Sequence, residues 1–138
     1  MINGIRIGEA RAQRHLDDAI TNMKFNVNFD SVKVAGESVQ VDFTFTTTYE
    51  GGERGPKQIG ELKIIGTVYA NEDKKSSEEI SEAWKSKKTL PMRFAEDVIN
   101  VVNFECASRG TLFAWGVGMV APIPLSRTKI QESSPAAK

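Results

Sequence analysis

Cys106 and His15 are the residues whose types could make a nucleophile and its base. A thiol attacks a carbonyl only when a neighbouring base activates it. The two stand far apart in the chain, and no motif around either one ties them together. Cys106, the sole cysteine, reads instead as a small apolar residue on a buried helix face. Metal centres need several imidazole, thiol or carboxylate ligands that converge. One histidine and one cysteine cannot supply such a set, and the acidic residues lack the spacing of a calcium loop. Gly51-Gly52-Glu53-Arg54-Gly55-Pro56 has no Lys-Ser/Thr behind it and joins two strand patterns, so it is no phosphate cradle. Gly116-Val117-Gly118 has no third glycine at the offset that dinucleotide binding needs. Glu96-Asp97 could act as acids, but a solvated helix start explains them more simply. The expectation is a binding protein and not an enzyme, with no metal and no cofactor.

What the chain holds in excess is apolar surface. Residues 92–110 carry a long, broadly apolar helix pattern, which leads into Leu112-Phe113-Ala114-Trp115-Gly116, read as an aromatic, Gly-rich bend. Ala121-Pro122-Ile123-Pro124-Leu125 follows. Ala95, Val98, Ile99, Val102 and Cys106 make one helix face at three- and four-residue spacing, and Phe94, Val101 and Phe104 extend it around a second side. One face covers a small sheet. The second is expected to meet another protein chain. Ser108-Arg109-Gly110 supplies the expected stop, with Gly110 in the left-handed conformation.

The elements that must position this helix divide a single expected domain, 1–138, into six parts. Residues 1–23 form an N-terminal strand and helix: a short strand at Ile5-Arg6-Ile7, then an amphipathic helix over 9–23 carrying Ala12, Leu16, Ala19, Ile20 and Met23. Residues 24–70 alternate as antiparallel strands. Phe25, Val27 and Phe29 are the apolar positions at first, but after Ser31 the phase passes to Val32 and Val34. A period of two cannot change phase without an extra residue, so a bulge is expected near Asp30-Ser31. Gly36-Glu37 turns the chain. Val39, Val41, Phe43, Phe45, Thr47 and Tyr49 then give the cleanest half-buried strand, and Leu62, Ile64, Gly66, Val68 and Ala70 line a further one. Gly66 there implies a bend or the close approach of another backbone. Short turns between long strands make a meander. A helix is expected over 76–88, capped by Ser77 and ending in Lys85-Ser86-Lys87-Lys88, whose charges suit the negative end of the helix dipole. The long helix 92–110, an aromatic and proline segment 111–130 and a frayed tail 131–138 complete the chain.

Composition narrows the class further. With 138 residues the chain can bury its own core. Eighteen basic residues balance eighteen acidic ones, which leaves no electrostatic footprint for nucleic acid. Zero net charge also sets little repulsion against self-association. The unpaired cysteine excludes an intrachain disulfide scaffold. The first residues lack a signal-peptide pattern, and no apolar run nears the ~18 residues that span a bilayer, so a cytoplasmic protein without membrane insertion is expected.

The ordered set Ile64-Ile65-Gly66-Thr67-Val68-Tyr69, Trp84-Lys85, Leu90-Pro91, Ser108-Arg109-Gly110-Thr111 and Pro122-Ile123-Pro124-Leu125 resembles the SecB-like family of export chaperones, over about residues 25–125. The resemblance implies an α+β fold: a twisted four-stranded antiparallel sheet backed by helices, assembling as a homodimer or homotetramer. It implies ATP-independent holding of unfolded or precursor polypeptides on apolar grooves, for delivery to the export machinery. Some relatives instead guard one antitoxin, so a module dedicated to one protein client, such as a phage or prophage accessory protein, is the alternative. The chain departs from the family in its longer second helix and in lacking the acidic surface that helps dock the translocation ATPase. Phe104, Phe113, Trp115 and Met119 are the peptide-binding candidates, because their side chains are large and adaptable. Alternatively, the four fill the subunit's own core or an interface between copies.

Overall fold

A computed structural model describes residues 1–52 and 57–122. It contains β1 (Ile2–Arg14), β2 (Ile20–Ala35), β3 (Ser38–Gly51), β4 (Lys57–Asn71), α1 (Lys74–Lys87) and α2 (Met92–Gly116). The strands form one antiparallel sheet in the order β1-β4-β3-β2, so β2-β3-β4 is the expected meander and β1 closes its far edge. The architecture is α+β: one four-stranded sheet with both helices packed on one face.

Strict alternation makes that packing possible. Val41, Phe43, Phe45 and Tyr49 of β3, with Leu62, Ile64 and Val68 of β4, are fully enclosed on the inner face. Asp42, Thr44, Thr46 and Thr48 stand on the other face, partly exposed. The expected bulge is present, as a register shift between Phe29 and Ser31. It turns both Asp30 and Ser31 outward: Thr44 Oγ1 donates to Asp30 at 2.6 Å and Ser31 Oγ donates to Asp42 at 2.5 Å. Thr67 Oγ1 on β4 donates to the other oxygen of Asp42 at 2.6 Å. Those two hydroxyls hold the Asp42 carboxyl below its ordinary range, against a smaller upward push from burial.

Three expectations are corrected. No helix occupies 9–23; those residues belong to β1, a connector and the start of β2. Ala12 pairs with Leu62 on β4, and the exposed connector 15–19 carries the chain from one sheet edge to the other, with His15 N and Leu16 N both donating to Ile59 O. Pairing with β4 outweighs the modest helix preference of Ala and Arg here. The cap of α1 is Asp73, not Ser77: Asp73 Oδ1 accepts from Ser76 N at 2.7 Å, while Ser77 is buried. Finally, α2 does not stop at Gly110 but continues to Gly116, so the expected bend at 112–116 is helix. A Cβ on Gly110 would lie 2.7 Å from Leu62 Cδ2 and 3.4 Å from Ile64 Cδ1; the glycine lets the helix axis approach the sheet. No described helix is long and apolar enough to cross a membrane. The expected loop at Glu53-Arg54-Gly55-Pro56, the end of the proline segment beyond Pro122 and the frayed tail 131–138 lie outside the described residues.

Candidate functional site

The extension of α2 decides which side chains meet solvent. Phe104, Ser108, Leu112 and Trp115 stand at i, i+4, i+8 and i+11, a single helix face. On it Phe104 is 71% exposed, Leu112 75% and Trp115 79%. Ala95, Val98, Val102, Cys106, Gly110 and Ala114 are buried against the sheet. Ser108 lies within the stripe, yet its hydroxyl turns back to Phe104 O at 2.9 Å, and Thr111 Oγ1 likewise donates to Ala107 O at 2.7 Å. The stripe therefore presents apolar surface with its own hydroxyls already satisfied. Arg109 and Glu105, 3.2 Å apart, form a charged flank beside it.

A hook fixes the end of the helix. Beyond Gly116 the chain turns, with Met119 N donating to Ala114 O at 2.8 Å. Tyr49 Oη, rising from the core, donates to Val120 O at 2.7 Å. Arg14 at the end of β1 donates to Leu16 O, Asp18 O and Gly118 O, tying connector, strand and hook together. Burial pushes the Tyr49 hydroxyl up to about 12, so it remains a donor at every physiological pH.

Of the four candidates named from sequence, Phe104 and Trp115 lie on the exposed stripe. Phe113, 45% exposed, leaves the helix in another direction. Met119 does not join them: it is 3% exposed and packs over Gly60, as part of the core. Its place is set by the hook, which swings the residue after Gly118 back beneath the helix. Leu112 is the residue that sequence reasoning left out. Its spacing from Phe104 and Trp115 was available, but only to a helix carried past Gly110.

Among the described residues, the one thiol and the one imidazole lie in different settings. Cys106 is enclosed, and burial pushes its thiol up to about 12, which leaves almost no thiolate at neutral pH. His15 is exposed on the connector. Among the described residues no three His, Cys, Asp or Glu side chains are placed to hold a metal ion. The depression along the outer side of α1, lined by Glu78, Glu79, Glu82 and Lys87, is wide open to water and mixes both charge signs.

No family model and no curated protein matches the sequence. A solved structure does match: the Mycobacterium tuberculosis SecB-like chaperone Rv1957, in complex with a ChAD peptide from the Rv1956 HigA1 antitoxin. The alignment covers 97% of this chain and 91% of that one, at 12% identity and a TM-score of 0.50. The two chains share a fold. That fold is the four-stranded antiparallel sheet backed by helices that the resemblance to the SecB-like family implied.

Proposed function

We propose that this SecB-like chain is a peptide-binding chaperone that holds non-native polypeptides, without nucleotide, on the outward face of α2. The observation that carries the reading is the stripe Phe104, Leu112 and Trp115, held exposed on a helix whose other side is anchored to the sheet. Large apolar side chains on a rigid support bind apolar segments of many sequences, because burial of such area is favourable and non-directional. Phe113 extends the surface around the helix. Client chains destined for export, held in the cytoplasm, are the finer reading, with no catalytic step involved.

The test is light scattering from several chemically unfolded clients, diluted with and without excess protein and without ATP. The protein is expected to slow their aggregation. The triple variant Phe104→Ser, Leu112→Ser and Trp115→Ser should lose most of that effect while keeping its circular dichroism, since these side chains face water. No slowing with any client would overturn the reading.

A second reading has its own support, since the solved relative was captured with an antitoxin peptide. In it the same stripe serves one dedicated protein client, in an antitoxin-guarding or phage-accessory role. Affinity purification from the native host separates the two. One stoichiometric partner favours the dedicated module, and a spread of precursors favours the general holdase.

A further inference from the structure

We infer that Tyr49 and Arg14 are positioning residues for the exposed stripe on α2: together they seat the cap of the helix, and the cap holds Leu112 and Trp115 in line with Phe104. The inference rests on the reading of the stripe as the client surface and adds what keeps that surface in place.

The need for an anchor shows in the row that α2 turns to the sheet. Phe94, Val98, Val102, Cys106, Gly110 and Ala114 recur at four-residue spacing, and all are buried. Their side chains shrink along the helix, and the stabilisation from apolar burial scales with area. Beyond Cys106 the row offers a single methyl group. The end that carries Leu112, Phe113 and Trp115 therefore has the least side chain to fasten it.

What fastens it lies past the last turn. Gly118, at φ +75°, makes the left-handed step that closes a helix. Gly118 N donates to Trp115 O at 3.0 Å and Met119 N donates to Ala114 O at 2.8 Å, the paired bonds of a Schellman cap. The carbonyl of Trp115 is thus part of the cap. The rest of the fold grips this cap at three successive residues. Gly118 O accepts from Arg14, the Met119 side chain is enclosed over Gly60, and Val120 O accepts from Tyr49 Oη at 2.7 Å.

The residue types suit these tasks. Tyr49 ends an inner row that otherwise reads Val39, Val41, Phe43, Phe45 and Thr47. A phenylalanine would fill the same space, so what the hydroxyl adds is its bond to Val120 O. Arg14 reaches Leu16 O, Asp18 O and Gly118 O at once with its planar fork. The point charge of a lysine has no such fork.

Tyr49→Phe tests this, because it removes the bond and keeps the ring. Hydrogen exchange over 111–119 should quicken about three- to ten-fold, while exchange in β4 stays as it was. In a Trp84→Phe background Trp115 is the remaining tryptophan, and its fluorescence anisotropy should fall. A chemically unfolded client should leave the variant about three- to ten-fold faster. Arg14→Lys should act in the same direction. Gly116→Ala supplies the rescue: a Cβ there meets open space, and alanine favours the last helical turn. Added to Tyr49→Phe, it should return exchange and client release towards the parent values, although it repairs nothing in the core. Unchanged exchange over 111–119 in Tyr49→Phe overturns the inference, as does a loosened helix end with unaltered client release, or a defect that Gly116→Ala leaves in place. A parent chain that binds no client sinks the client reading instead, and exchange and anisotropy still judge the cap.

Discussion

Thr47 and Tyr49 lie two positions apart on the inner face of β3, both fully enclosed, and each brings a hydroxyl into an apolar layer. Tyr49 places its hydroxyl on Val120 O, where it fixes the hook behind α2. Thr47 Oγ1 has no hydrogen-bond partner among the described residues. A buried hydroxyl left unpaired forgoes its bonds to water and regains nothing, at a cost of about 1–3 kcal/mol. Thr47→Val replaces it with a methyl of nearly the same size and keeps the β-branch that suits a strand. The variant is expected to be more stable by about 1 kcal/mol, raising the melting temperature by roughly 3 °C. Differential scanning calorimetry checks this, and a lowered melting point would show that Thr47 has a partner this account lacks.

At the scale of elements, the strands were legible wherever alternation ran unbroken or broke once. β3 and β4 follow directly from Val39 to Tyr49 and from Leu62 to Ala70, and one phase change at Asp30 located the β2 bulge. β1 obeys the same logic, with Ile5 and Ile7 before a shift and Ala10 and Ala12 after it. Its inward residues are small or few, however, so the spacing of Ala12, Leu16 and Ala19 imitated a helix. The end of α2 was lost for a related reason. Gly110 carries the local signature of a stop, but its lack of a side chain serves the contact with Leu62, a long-range fact that no local window holds. Exposure along α2 was accordingly half legible: of the candidates chosen by size, Phe104 and Trp115 are exposed and Met119 is enclosed, while exposed Leu112 was not among them. Of the two alternatives read at Gly66, a bend or the close approach of another backbone, the structure has the close approach. A Cβ there would strike Arg6 O and lie 2.9 Å from Phe43 Cζ. Gly66→Ala should therefore push β1 away from β4 and cost about 1–3 kcal/mol. Hydrogen exchange is expected to speed up first in β1, and an unchanged β1 would refute that account.

For the molecule as a whole, the titrating groups sort by layer. Asp42 on the outer face and Asp73 at the α1 cap are both held below the ordinary value of 3.8 by hydrogen bonds, from the Ser31 and Thr67 hydroxyls and from Ser76 N respectively. A depressed carboxylate stabilises the fold above that value, and the contribution fades as acid titrates the folded form. Cys106 and Tyr49 lie between sheet and helices and titrate the other way. Burial raises the thiol from 9.0 to about 12 and the phenol from 10.0 to about 12. The folded state then holds protons that the unfolded state has released, so stability falls as pH rises from 9 towards 12. The acidic groups work from the surface, and their loss loosens one strand pair or one cap. Ionising the enclosed groups instead requires the helical layer to lift from the sheet, so alkaline unfolding should be global and cooperative. Cys106→Ala removes the lower of the two alkaline titrations. Its melting temperature, measured against pH, should decline less steeply than that of the parent between 9 and 10, while the two curves run parallel below 8. Parallel curves up to pH 11 would mean that the thiol is not what couples the two layers to pH.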